Sequence, residues 1–453
     1  MKKIVIFLLI LLFACSLPVA AWAQPLYNSE LEVNSEILYL KSMDDGTVIF
    51  SQNADMPCQP AGLLNIVAAM IVLNNVPDPE TQTFTVPENI NSILAGTDSA
   101  VMLFKGGDKI RVIDLLYCIL IRSAADASMT LAYGVAGSEE EFVRMMNEYV
   151  RELGCGSTNF VNVTGLDADG QYTTAADMAI IMQKAAESKT FREISTQGTY
   201  DFPATEKDSE RRVYTTNLML QSGYPSYYYR YLTAAKSGAT EGAGRCVAVT
   251  AARDGYSYVA VVMKGAYVDT NNDGNKENYA FIDCKQMLSW TFSNIKLRTV
   301  TNETQTVAEL PVKYSFKTDH IRLVPAERLS VLLPDTADTE SVVFHVLAED
   351  TKTELTAPVK KGEPVGKAEV LYGEQVIATV GLVAAEDIPF DLPGFAAGLL
   401  KDIFTSPAVI VILLIIIAVG VVYFALGVRY DKKLGRFRIM RGGKTAEKTT
   451  DRE

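Results

Sequence analysis

Histidine is nearly missing from this 453-residue chain: His320 and His345 are the only two, and none precedes them. A Ser-His-Asp or Cys-His relay is thereby excluded from everything upstream. Cysteine is scarce and badly placed for cross-linking. Beyond Cys15, the residues Cys58, Cys118, Cys155, Cys246 and Cys284 are widely spaced, odd in number and free of any C-x-x-C pair. That pattern predicts neither a disulfide framework nor a zinc site, and suits small buried apolar side chains. Basic charge is short as well, with 42 Lys and Arg against 54 Asp and Glu and a formal net charge of −12. Nucleic acid is a poor partner for such a surface. No internal repeat or low-complexity tract interrupts the chain.

What is present is the composition of a folded protein, 48% hydrophobic and 21% charged. Residues 1–23, MKKIVIFLLILLFACSLPVAAWA, combine two lysines, an apolar run and a small-x-small end, the pattern of a signal peptide cut before Gln24. A second apolar run, residues 407–428, holds 22 residues without a charge, about 33 Å of helix against a hydrocarbon core of about 30 Å. A transmembrane helix is expected there. The following tail, residues 429–453, carries nine basic and four acidic residues, which predicts a cytoplasmic end and a single-pass cell-membrane protein with its bulk outside. With that tail and the two leader lysines set aside, the exported part carries −19.

Between the two apolar runs the texture changes once. Residues 36–41 and 47–51 flank MDDG and read as a β-hairpin. Amphipathic helices are expected over 112–135 with a break at RSAAD, over 139–153, and over 173–187 starting at a threonine. Another hairpin follows over 245–264 about RDG, and then a helix over 279–294. Strands at both ends of a helical middle give an α+β domain, taken as residues 24–300. Residues 301–385 read as short alternating strands, a small all-β, sandwich-like domain, and 386–406 as an amphipathic linker lying on the membrane surface.

Hydrolysis without histidine or metal calls for a serine activated by lysine, and three short patterns, S-x-x-K, S-D-N and K-T-G, serve that chemistry. Pro60-Ala61-Gly62-Leu63-Leu64-Asn65, Arg122-Ser123-Ala124-Ala125-Asp126-Ala127 and Lys236-Ser237-Gly238 occupy the chain in that order. With the framework segments DLLYCILIRSAADA, FVNVTGLDADGQYTTAADMA and AFIDCKQMLSW, they make the chain resemble the serine D-alanyl-D-alanine carboxypeptidases. These are the low-molecular-mass penicillin-binding proteins of peptidase family S11. APVKKGEPVG (357–366) resembles a segment of that family's β-rich C-terminal domain. The resemblance implies a penicillin-binding-protein or serine β-lactamase-like α+β domain followed by the all-β domain, and a role in peptidoglycan metabolism without a cofactor.

The departures from the family pattern fall on its chemistry. By resemblance, the first-motif serine attacks the terminal D-Ala-D-Ala carbonyl and the lysine three residues on takes its proton; Gly62 and Asn65 stand there. The second-motif asparagine, which would hydrogen-bond the substrate amide, is Ala125. Ser123, Lys236, Ser237 and Gly238 remain as binding residues, with Lys236 attracting a carboxylate and Ser237 donating from the strand beside the cleft. The expectation is an inactive homologue that binds stem peptide or a cell-wall protein. The alternative is an active carboxypeptidase with a rebuilt site, such as Ser123 beside Lys236. Two further stretches stand out. Asp269-Thr270-Asn271-Asn272-Asp273-Gly274-Asn275 begins like an EF-hand loop, but Ala280 takes the place of the bidentate glutamate, so an Asx-rich turn is expected rather than calcium. Tyr224, Tyr227, Tyr228, Tyr229 and Tyr231 could stack on sugars or partners, or be core.

Overall fold

The computed structural model describes residues 31–441 except 271, 273, 302, 303, 316, 317, 339, 340 and 374. The leader 1–23 lies outside the described residues, as do Asn271 and Asp273 of the Asx-rich stretch and the tail beyond 441. The chain divides into two compact units, residues 1–297 with 332–337, and 298–331 with 338–453.

The first unit is built on a five-stranded antiparallel sheet. Its strands are β1 (Ser35–Ser42), β2 (Val48–Gln52), β3 (Leu232–Thr240), β4 (Gly244–Arg253) and β5 (Tyr256–Gly265), in the order β2-β1-β5-β4-β3. Both hairpins read from DG turns are there, and β5 pairs with β1 from Ser35↔Gly265 to Ser42↔Tyr258. The central β5 is apolar on both faces because helices cover both. Val259, Val261 and Met263 join the main core with Met178 and Met182 of a helix over Ala175–Ala185. On the other face Tyr258 meets Phe292 of the helix Tyr279–Asn294 edge-on, ring centroids 5.0 Å apart. β3 is left as an edge strand, and the cleft forms along it.

The helical middle comprises α1 (Asn65–Asn75), α2 (Val112–Tyr117), α3 (Ala125–Ala136), α4 (Glu139–Glu152) and α5 (Ala175–Ala185). Ser138 and Thr174 cap α4 and α5 by accepting the amides of Glu141 and Asp177, as the polar residue before each apolar period predicts. The break read at RSAAD is real: α2 runs into a π-turn at Cys118–Arg122, Ser123 is left-handed at φ +57°, and α3 restarts at Ala125. All five described cysteines are free and buried, and burial pushes their thiols up, Cys58 to about 11. The tyrosine run divides, with Tyr224 exposed and two others tied into the fold. The Tyr227 hydroxyl accepts the Asn278 amide and its ring packs on Phe281, while Tyr229 is buried.

In the second unit six strands form one mixed sheet. They are β6 (Ala308–Lys313), β7 (His320–Pro325), β8 (Val342–Val346), β9 (Leu355–Thr356), β10 (Pro364–Tyr372) and β11 (Gln375–Ala384), ordered β8-β10-β11-β7-β6-β9. Among the described residues of this sheet, only the β6–β9 pair is parallel. Within the stretch read as an amphipathic linker, Leu392–Thr405 form helix α6, and α7 runs over Pro407–Arg441. Pro407–Leu426 within it is long and apolar enough to cross a membrane and is exposed throughout.

Candidate active-site cleft

The cleft, about 480 Å³, opens between the turn that carries Gly62, the 97–100 loop, the 164–167 turn and the end of β3. Ala61–Leu64 form one 3-10 turn before α1, with Ala61 forced to φ +46°. Two glycines let backbones crowd this turn. A Cβ on Gly238 would stand 2.6 Å from the Gly62 amide nitrogen, and one on Gly165 would stand 2.6 Å from the Ala61 carbonyl oxygen. Only glycine tolerates such approaches.

Gly62 lines the cleft, but the space beyond its Cα is taken. A Cβ added there would lie 2.8 Å from Ser123 Oγ and 3.2 Å from the Ser237 carbonyl oxygen. Asn65, one turn further along, is fully buried and does not line the cleft. Its Nδ2 donates to the Ile119 carbonyl at 3.4 Å and its Oδ1 accepts from Ser128 Oγ at 3.2 Å. Ala125 is also fully buried, and its amide donates to the Ala100 carbonyl at 2.7 Å. Its methyl group offers a ligand no polar atom.

Ser123 and Lys236, 113 residues apart, come together. Lys236 Nζ donates to Ser123 Oγ at 2.5 Å and to the Ser237 carbonyl at 2.8 Å. Lys236 is 1% exposed, and burial pulls its pKa down to about 7. The ammonium therefore sits behind Ser123, and among the cleft-lining residues the hydroxyl is the reachable end of the pair. Ser237 Oγ shares a hydrogen bond with Thr216 Oγ1 at 3.2 Å.

One residue of the second motif has a task that spacing did not reveal. Asp126 is buried, and its carboxylate accepts the amides of Met102 at 2.9 Å and Phe104 at 3.1 Å, fixing the loop whose 97–100 stretch is a cleft wall. Burial raises its pKa against the lowering effect of those donors. The opposite wall is an Asx-type turn in which Asn162 Oδ1 accepts the Gly165 amide at 2.9 Å, and Asp167 accepts from Thr240 Oγ1 at 2.5 Å. The N-x-x-G spacing in VNVTGL is the signal for that turn. Among the described residues no cluster of His, Cys, Asp and Glu could hold a metal.

Residues 24–266 match the family model described as D-alanyl-D-alanine carboxypeptidase, and 296–389 match the penicillin-binding protein 5 C-terminal domain. The chain is 27% identical over 362 residues to the D-alanyl-D-alanine carboxypeptidase DacF of Bacillus subtilis, covering 80% of this chain and 87% of that protein. It is 28% identical to DacC of Escherichia coli, with 79% and 84% covered. Among solved structures, penicillin binding protein 5 from Haemophilus influenzae superposes with a TM-score of 0.56 at 22% identity, covering 80% of this chain and 99% of that one. DacD from Francisella tularensis reaches 0.62 at 18% identity, with 83% and 100% covered. The ordered motifs, the sheet that carries Lys236 beside Ser123, and a family match over more than half the sequence lead to one conclusion: this chain belongs to the peptidase S11 family of serine D-alanyl-D-alanine carboxypeptidases.

Proposed function

We propose that the protein is a non-hydrolytic member of this family, anchored in the cell membrane, that binds the peptidoglycan stem peptide or a cell-wall protein in the cleft without cutting it. The observation that carries the reading is the closed position at residue 62, where Ser123 Oγ stands 2.8 Å from the place of a missing Cβ. No hydroxyl is attached there, and Asn65 spends its amide on Ile119 and Ser128. Loss of nucleophile or base from a serine hydrolase costs on the order of 10⁶ in turnover, and the two losses act as a unit. The cleft is lined by Gly238, Ala239 and Thr240 at the end of the edge strand β3, and an extended peptide would lie against that end. Pro407–Leu426 supplies the anchor, with the basic residues from Arg429 onward on the cytoplasmic side.

One observation favours a second reading. A serine hydroxyl 2.5 Å from a lysine with a pKa near 7 has the composition of a nucleophile and base. In that case Ser123 Oγ would attack the carbonyl carbon, Lys236 would take the hydroxyl proton and return it to the departing amine, and water would release the acyl group. Incubation with a fluorescent penicillin and with a stem pentapeptide separates the two. The non-hydrolytic reading expects no labelled band and no D-Ala released, and either signal, lost in Ser123→Ala, establishes the second reading instead. Binding of the pentapeptide to the unlabelled protein, measured by calorimetry, tests the remaining half of the proposal.

A further inference from the structure

The cleft is short of positive charge where a peptide would enter. Asp98, Asp167 and Glu241 line it and, among the described residues, no lysine or arginine does, while Lys236 lies behind Ser123 with its amine already donating to two oxygens. A carboxylate entering the cleft therefore meets acids before any cation. Directly beyond Glu241 lies a second hollow of about 350 Å³, which shares Ala239, Thr240 and Glu241 with the cleft and adds Arg245 and Tyr267. Arg245 stands opposite Ala239 in the β3–β4 ladder, so its backbone is about 5 Å from the cleft wall and its side chain is long enough to serve it.

Arg245 is held ready for a ligand in a way that Lys236 is not. Its guanidinium carbon sits 4.1 Å over the centroid of the Tyr267 ring, and Lys276 Nζ approaches the same ring at 5.8 Å. The stacked tyrosine is half exposed. Arg245 lines the hollow beside this ring, and a guanidinium over an aromatic face suits bidentate capture of a carboxylate.

We propose that Arg245 on Tyr267 is the carboxylate subsite of this cleft: a peptide laid along β3 delivers its C-terminal carboxylate to Arg245, past Glu241, rather than to Lys236. The inference rests on the peptide-binding reading above. Its test compares two ligands on the full chain in detergent, a stem pentapeptide with a free C-terminal carboxylate and the same peptide with a C-terminal amide. The wild type binds the free acid about tenfold or more tighter than the amide, the discrimination expected of a charge-assisted fork. Arg245→Ala removes that preference and leaves amide binding unchanged, and Arg245→Lys, which keeps the charge but loses the fork, retains part of it. Tyr267→Leu, which removes the platform, weakens the preference without touching the guanidinium. Equal binding of acid and amide by the wild type overturns the subsite with no variant needed. So does a folded Arg245→Ala protein that still prefers the acid. A wild type that binds neither peptide removes the peptide-binding reading, and this subsite with it.

Discussion

Restoring a serine at residue 62 is the sharpest perturbation of the site. In Gly62→Ser the new Cβ would stand 2.8 Å from Ser123 Oγ and 3.2 Å from the Ser237 carbonyl, inside the distance at which real side chains pack. The carbonyl is backbone of β3 and cannot give way easily. Ser123 can, by rotating its hydroxyl off Lys236 Nζ, which breaks a buried 2.5 Å contact. Overpacking of this kind costs about 1–3 kcal/mol, and loss of a hydrogen bond to a charged group falls in a similar range. At about 2–4 °C per kcal/mol for a domain of this size, the overpacking alone lowers Tm by roughly 2–12 °C. Gly62→Ala should fall similarly, because the clash belongs to Cβ and not to the hydroxyl. Neither variant should acquire a penicillin adduct, since Asn65 cannot act as the base. The assays are calorimetry and mass spectrometry after incubation with penicillin. An adduct on the introduced hydroxyl of Gly62→Ser, or two variants that melt with the wild type, would refute the closed-site reasoning.

Three other outcomes are expected. Lys236 titrates near 7 in the folded chain against an ordinary value of 10.5, so the unfolded chain binds more protons between those values and stability from this residue rises with pH across that window. Urea unfolding of wild type and Lys236→Met at pH 7, 8.5 and 10 should show the wild type gaining on the variant by up to about 1.4 kcal/mol per pH unit, and a constant difference would sink the assignment. Asp126→Ala strands the buried amides of Met102 and Phe104 at about 1–3 kcal/mol each, and hydrogen exchange at those two amides should quicken before that of α3 does. Truncation before Pro407 should move the protein from the carbonate-resistant membrane fraction to the soluble one, and a truncated chain that stays in the pellet would place the anchor elsewhere.

Much of the fold could be read locally. The two DG hairpins, the capped helices at Ser138 and Thr174, and the helix over residues 279–294 follow from turn chemistry and periodicity that act within a few residues. The short antiparallel pairs Thr83–Thr85 with Lys109–Arg111 and Thr199–Phe202 with Arg211–Tyr214 are not legible in this way, since a strand of three or four residues carries little periodicity. Periodicity does not mark β3, because LTAAKSGAT presents small and polar residues without an apolar face; only the resemblance puts Ser237 on a strand.

At the site, sequence alone determined which side chains are missing from the family's motif positions. Gly62 carries no hydroxyl, the Asn65 amide is no base, and the absence of upstream histidine excludes a Ser-His relay, whatever the fold. It determined the family as well, through three short motifs in order. Tertiary structure decided what the surviving groups do. Only folding brings Lys236 within 2.5 Å of Ser123, buries it so that its pKa falls, and sets Ser123 Oγ where a residue-62 side chain would be. Only folding turns Asp126 from a motif letter into the clamp of a cleft wall, and Arg245 from a surface charge into a guanidinium stacked beside the cleft. Residue type limits chemistry by composition, but burial, pKa and reach belong to neighbours that the chain supplies from a hundred residues away.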